Sequence, residues 1–141
     1  MNLDWWKWNF GRVRLQPSTN LFQWGQFVLS SGQKSNLKIE CDALTDDDWT
    51  CIANHLGIYA REFATVVGVP RGGLKLARKM RSHCENPDGY RLVVDDVLTT
   101  GGSMINAMDQ PGDRGLVLFA RGDLPPNVGA LFTMNNWRRF P

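Results

Sequence analysis

The segment Leu92-Val93-Val94-Asp95-Asp96-Val97-Leu98-Thr99-Thr100-Gly101-Gly102-Ser103 constrains this chain more than any other stretch. It joins an aliphatic run to two adjacent carboxylates and then to a turn rich in hydroxyls and glycine. Such a run suits a strand buried on both faces, and the turn suits the opening of a helix. Backbone N–H groups and the hydroxyls of Thr99, Thr100 and Ser103 then converge at the helix amino end, a site for a phosphate dianion. Gly101 and Gly102 let the backbone approach closely and accept positive φ. Asp95 and Asp96 have no use for the phosphate itself. As acceptors they suit a pair of vicinal hydroxyls, or a Mg2+ that also bridges phosphate oxygens. A sugar carrying both a phosphate and a diol satisfies the whole segment.

Order and spacing exclude other phosphate-binding readings. A Walker-type loop needs a Lys directly after its last glycine, and none follows Gly102. A dinucleotide fingerprint places its glycines straight after the strand and its acid about twenty residues later, the reverse of the order here. A phosphoacceptor domain of the response-regulator kind also begins with a strand ending in two acids. It needs later strands ending in Asp and in Lys, neither of which this chain offers convincingly.

The flanking sequence supplies a frame for the motif. Thr45-Asp46-Asp47-Asp48-Trp49 pairs an N-cap Thr with an acid three residues on, and the carboxylates suit the positive helix end. Trp49, Ile52, Ala53, Leu56, Tyr59 and Ala60 then recur at helical spacing as one apolar stripe ending near Glu62, with His55 off it. Thr65-Val66-Val67-Gly68-Val69 predicts a strand buried on both faces, and residues 74–81 a helix. Residues 91–95 predict the next strand, residues 99–108 a turn and helix, and residues 116–120 and 128–132 two further strands. This alternation predicts an α/β fold: a mostly parallel central sheet of about five strands flanked by helices. Ligands of such sheets bind beyond the carboxyl ends of the strands, where both Gly-rich turns fall.

Residues 1–44 fall outside the alternation and hold Trp5, Trp6, Trp8 and Trp24. They read as an N-terminal arm and small hood ahead of an α/β core over 45–134 and a tail over 135–141, all within one domain. The Trp5, Trp6 and Trp8 cluster packs against the domain or a second subunit, or forms a stacking platform for bases.

Composition narrows the partners. Lys and Arg number 16 and Asp and Glu 14, a net charge of +2 without long like-charged blocks, which argues against nucleic acid and membrane surfaces. No apolar run approaches the length that spans a bilayer. The start, Met1-Asn2-Leu3-Asp4, lacks the features of a signal peptide, so a cytoplasmic setting is expected. Cys41, Cys51 and Cys84 have no C-x-x-C spacing, and only His55 and His83 could join them, which disfavours zinc and disulfides.

Residues 93–103 resemble the phosphoribosyl-pyrophosphate (PRPP) signature of type I phosphoribosyltransferases. The resemblance implies that Asp95 and Asp96 hold the ribose hydroxyls and reach Mg2+ indirectly, through PRPP. It implies that Thr99, Thr100, Gly101, Gly102 and Ser103 cradle the 5′-phosphate. Val67-Gly68-Val69-Pro70-Arg71-Gly72-Gly73-Leu74 is similar to the pyrophosphate-binding loop of the orotate branch of that family. There Pro70, Arg71 and Gly72 would meet the leaving group, Arg71 through a guanidinium that grips phosphate oxygens in pairs. Residues 25–35 resemble the segment leading into the orotate enzymes' hood, and Phe119-Ala120-Arg121-Gly122 and Ala130-Leu131-Phe132 resemble their last strands. The implied reaction is substitution at C1 of the ribose, with pyrophosphate leaving and a nitrogen base adding with inversion. Asp95, Asp96 and Arg71 become the catalytic residues and Mg2+ the cofactor. PRPP and a small nitrogen base become the substrates, and a homodimer the assembly.

Two departures qualify the resemblance. Orotate enzymes carry an extra strand and a long mobile basic loop where residues 78–91 stand here. Arg78, Lys79, Arg81 or His83 replaces that loop, or a partner subunit does, or turnover is slow. The same four residues also read as a solvated helix end. Hood positions usually held by aromatics are here Leu37, Lys38 and Ile39. Lys38 is a candidate for an anionic base such as a carboxylated pyrimidine and Lys34 for the substrate carboxylate or pyrophosphate, or both are surface lysines. A second reading therefore stands: a PRPP- or nucleotide-binding regulatory module with little or no turnover.

Overall fold

A computed structural model of the chain describes residues 20–29 and 31–134. Trp5, Trp6, Trp8 and the tail over 135–141 lie outside the described residues, as does the side chain of Tyr59. The chain divides into two compact units, Met1–Ala43 and Leu44–Pro141.

In the first unit, β1 (Phe22–Val28) pairs antiparallel with β2 (Lys34–Ile39). The turn is closed by Leu29 N–H to the Gln33 carbonyl and Gly32 N–H to the Leu29 carbonyl, each 2.8 Å. The register shifts between Trp24 and Phe27. That irregularity breaks the two-residue period of the strand, which is why the hairpin is hard to read from sequence. A short 3-10 turn, Cys41–Ala43, closes the unit.

The second unit opens with α1 (Asp46–Tyr59). The Asp48 N–H donates to the Thr45 hydroxyl at 3.1 Å, and the Thr45 N–H donates to the Asp48 carboxylate at 2.9 Å, a complete capping box. Trp49, Ala53, Leu56 and Ala60 are buried, Ile52 is half-buried and His55 is exposed, which is the stripe expected from the spacing. Thr45→Ala is expected to cost about 1 kcal/mol, read as a lower urea midpoint with an unchanged slope. An unchanged midpoint would mean that packing of the stripe alone fixes the helix start.

β3 (Phe63–Gly68), β4 (Tyr90–Leu98), β5 (Arg114–Ala120) and β6 (Val128–Thr133) form one sheet in that order, with every pair parallel. α2 (Gly73–Met80) and α3 (Gly102–Ala107) are the crossovers into β4 and β5. The parallel sheet has four strands among the described residues, where about five were expected, and β1 and β2 form a two-stranded sheet of their own.

The central strands bury Leu92, Val93, Val94, Val117 and Leu118, as strands covered on both faces require. β3 departs from the expectation of burial on both faces: it is an edge strand, and Thr65 and Val67 are exposed on it. Alternation along β4 and β5 sends Val93 and Val117 to one face, where Val128 lies in register and Met104 of α3 packs, and Leu98 and Ala120 at the strand ends join the same cluster. α2 buries Leu76, Ala77 and Met80 and turns Leu74, Lys75 and Arg78 to solvent.

Candidate active site

The two acids lie within β4 rather than beyond it, because Val97 and Leu98 continue the pairing opposite Phe119 and Ala120. Asp95 Oδ1 accepts from the Asp96 N–H at 2.8 Å, and Asp96 Oδ1 accepts from the Val97 N–H at 2.7 Å. Each carboxylate is thus turned by the next amide along the chain. Both residues are half-buried. Burial pushes the Asp95 carboxyl up to about 8, and the neighbouring Asp96 adds to the rise through a hydrogen bond and its charge. Asp95 thus holds its proton more tightly than an exposed carboxyl does.

The loop between β3 and α2 closes over the second acid. Val69 N–H donates to the Val94 carbonyl at 2.8 Å, which ties the loop to β4. Gly73 N–H then reaches the Val69 carbonyl at 2.9 Å and Leu74 N–H the Arg71 carbonyl at 3.2 Å. The Pro70–Arg71 peptide is cis. A Cβ on Gly72 would collide with the Asp96 carboxylate, so only glycine allows the loop to lie this close. Pro70 and Arg71 are exposed.

Residues 99–103 follow at the end of the same strand. Gly101 adopts φ +86°, a left-handed conformation that favours glycine. Gly102 N–H reaches Thr100 Oγ1 at 3.4 Å, and Ile105 N–H donates to the Gly101 carbonyl at 2.9 Å as α3 begins. Thr100, Gly102 and Ser103 are exposed and Thr99 is half-buried. The segment after β5 braces this turn. Arg121 N–H donates to the Leu98 carbonyl at 2.8 Å, and a Cβ on Gly122 would collide with the Thr99 carbonyl. The sequence marks Arg121 and Gly122 only as a strand end; their contact with the turn depends on β5 lying beside β4, and the one local signal is a glycine directly after the strand.

The carboxyl ends of β3 and β4 thus bring Gly72, Asp95, Asp96 and the turn of Thr99, Thr100, Gly101, Gly102 and Ser103 together, with Arg121 alongside. Lys34 and Lys38 stand on β2, in the other unit. Lys34 is exposed, while Lys38 pairs with Glu40 at 2.8 Å and holds the Glu40 carboxyl below its ordinary range. Of the basic residues at the end of α2 and just after it, Lys79 pairs with Asp46 at 2.8 Å and donates to Thr50 Oγ1 at 3.1 Å. His83 meets Asn54 Oδ1 at 3.2 Å with its ring against Gly57. Both are thereby committed to α1, and Arg78 and Arg81 remain exposed. A 3-10 turn, Arg81–His83, leads almost directly to β4 at Tyr90, so this connection is short.

Among the described residues no group of three His, Cys, Asp or Glu side chains could hold a metal ion. Two adjacent carboxylates do fit Mg2+ when a substrate supplies the remaining oxygens.

The four-stranded parallel sheet flanked by helices, with its small antiparallel sheet, matches the type I phosphoribosyltransferase fold. In sequence and fold the chain is orotate-phosphoribosyltransferase-like. It is 31% identical to the orotate phosphoribosyltransferase of Pyrobaculum calidifontis, over 66% of this chain and 62% of that relative. The chain therefore spans less than two thirds of that relative's length. Among solved structures it is similar to orotate phosphoribosyltransferase from Aeropyrum pernix, with TM-score 0.66 and 23% identity over 82% of this chain and 89% of that one. The orotate phosphoribosyltransferase of Mycobacterium tuberculosis matches with TM-score 0.61 and 16% identity over 80% and 89% of the two chains. No protein-family model matches the sequence.

Proposed function

We propose that the chain is a phosphoribosyltransferase that moves the 5-phosphoribosyl group of PRPP to a nitrogen base and releases pyrophosphate. Orotate or another pyrimidine-like base is the acceptor suggested by its relatives. The observation that carries the reading is the close approach of Gly72 to the Asp96 carboxylate. It puts a loop suited to pyrophosphate beside acids suited to a diol, next to a turn suited to the 5′-phosphate.

In this reading Asp95 and Asp96 accept the two ribose hydroxyls and orient the sugar. As the bond from C1 to pyrophosphate lengthens, positive charge grows on the ring, and the half-buried carboxylates stabilise it by their fixed field. Arg71 grips the departing pyrophosphate through paired N–H groups. The base nitrogen adds to the opposite face of C1, and a base arriving deprotonated needs no proton acceptor. Asp95 and Asp96 would hold Mg2+ indirectly, through bound PRPP, and the ion would supply charge neutralisation for the leaving group. A homodimer accompanies the reading by resemblance. No helix among the described residues is long and apolar enough to cross a membrane.

The short connection from α2 to β4 favours the second reading, a PRPP- or nucleotide-binding regulator, because that segment supplies no long closing loop. A pyrophosphate-release assay with Mg2+-PRPP and orotate, uracil, adenine, hypoxanthine or nicotinate separates the two. Release with one base supports the transferase and names its acceptor; saturable PRPP binding without release for any base supports the regulator. Gly72→Ala drives a methyl group into Asp96 and is expected to weaken Mg2+-PRPP binding by about tenfold or more, equivalent to about 1.4 kcal/mol. Unchanged affinity would remove this loop from the site.

A further inference from the structure

We propose that a concavity of about 510 Å3 at the amino ends of β4, β5 and β6 is a second binding site, for a small organic anion with a flat apolar body. It lies at the other end of the strands from the acids, with about 20 Å of β4 between Tyr90 and Asp96. The inference does not rest on the transferase reading.

The floor follows from strand register. Leu92 pairs with Arg114 and Leu116 with Gly129, which puts these four residues on one face of the sheet. Ala60, just past the end of α1, lines the same concavity. A Cβ on Gly129 would meet only Leu116 Cδ1, at 3.6 Å, so no neighbour fills the space above it. Leu116 and Gly129 give the concavity an apolar patch over the buried Leu92, and the volume is within the roughly 300–1,000 Å3 of small-molecule sites.

The charge comes from Arg114. Its guanidinium lies over the Tyr90 ring, 4.6 Å from the centroid, and the Tyr90 hydroxyl donates to the Ala60 carbonyl at 3.2 Å. The ring is anchored at its far end and carries the guanidinium over its face. Arg114 has no carboxylate partner among the described residues, in contrast to Arg91, which has Asp109 and Asp113. A guanidinium over a ring still has N–H groups to offer, which match the paired oxygens of a carboxylate, phosphate or sulfonate.

The test is a titration of the 15N-labelled chain with naphthalene-1-sulfonate, followed by amide shifts, in wild type, Arg114→Met and Gly129→Leu. Arg114 and Gly129 are both exposed, and neither substitution touches the carboxyl-end site, so Mg2+-PRPP binding serves as the control. Saturable shifts at Leu92, Leu116 and Gly129 are expected, weakened about tenfold or more in each variant, with Mg2+-PRPP affinity unchanged. Inorganic phosphate alone is expected to bind far more weakly at the same amides. Shifts confined to residues 95–103, equal affinity in both variants, or phosphate binding as tightly as the naphthalene probe would each overturn the proposal.

Discussion

Asp95→Asn combined with Asp96→Asn is expected to lower Mg2+-PRPP affinity by roughly 100-fold or more, since two charge-assisted contacts are lost at about 1.5–3 kcal/mol each. Asparagine keeps an oxygen to accept from the Asp96 and Val97 amides, as the carboxylates do at 2.8 and 2.7 Å, so the strand end is expected to survive. The same variant carries a signature in stability. Asp95 is raised to about 8 chiefly by burial, from an ordinary value of about 3.9. Between those values the folded chain binds more protons than the unfolded one, so wild-type stability falls as pH rises through this window. The double variant has no such charge to bury, and its thermal midpoint relative to wild type is expected to be higher at pH 9 than at pH 5. Ligand affinity runs the other way in wild type: the diol requires ionised acceptors, so binding strengthens between pH 7 and 9. Titration calorimetry and thermal melts across pH check both slopes, and a flat affinity profile together with unchanged affinity in the double variant would remove the acids from the site.

The second large effect is expected away from the site, from Asp113→Ala. Asp113 is almost fully buried, its side chain 3% exposed. It receives Arg91 Nε at 3.0 Å, Arg91 Nη2, and the Gln110 N–H at 3.0 Å. Arg91 Nη2 also donates to Asp109 at 2.8 Å and to the carbonyl of Ala107, the last residue of α3, at 3.1 Å. Alanine would leave a largely buried guanidinium short of its main counter-charge and the Gln110 amide without an acceptor, which costs about 3–5 kcal/mol. That is a large fraction of the ~5–15 kcal/mol stability of a typical domain. Because Arg91 holds Asp113 below the usual carboxylate range, the contribution is present above a pH of about 4 and is lost as pH falls through the depressed value. Urea unfolding at pH 7 measures it; a loss below about 1 kcal/mol would mean that Asp109, as an exposed partner, suffices.

What could be read in the sequence was whatever local pattern encodes. Strand, acids, hydroxyls and glycines in residues 92–103 are contiguous, so the phosphate-type turn and the acids could be placed before any fold was known. Thr45 with Asp48 announced its helix for the same reason, since a capping box spans only one turn. The misreadings are non-local or depend on an irregularity. β3 carries the composition of a central strand yet lies at the edge, which only the strand order decides. The β1–β2 hairpin is hidden by its register shift at Trp24 and Phe27. Arg91 and Asp113 are 22 residues apart and meet only because β4 and β5 are neighbours. Arg114 is likewise uninformative until β4 brings Tyr90 beneath it. Within the site, Gly72 could be matched by resemblance, but its reason, contact with Asp96, is tertiary.

The most direct measurement of the central claim is isothermal titration of the wild-type chain with Mg2+-PRPP, repeated with ribose 5-phosphate as competitor. A site built from Asp95, Asp96 and the turn of residues 99–103 predicts saturable one-to-one binding that ribose 5-phosphate weakens, because the two ligands share the diol and the 5′-phosphate. No saturable heat, with a thermal midpoint that Mg2+-PRPP leaves unmoved, would contradict it.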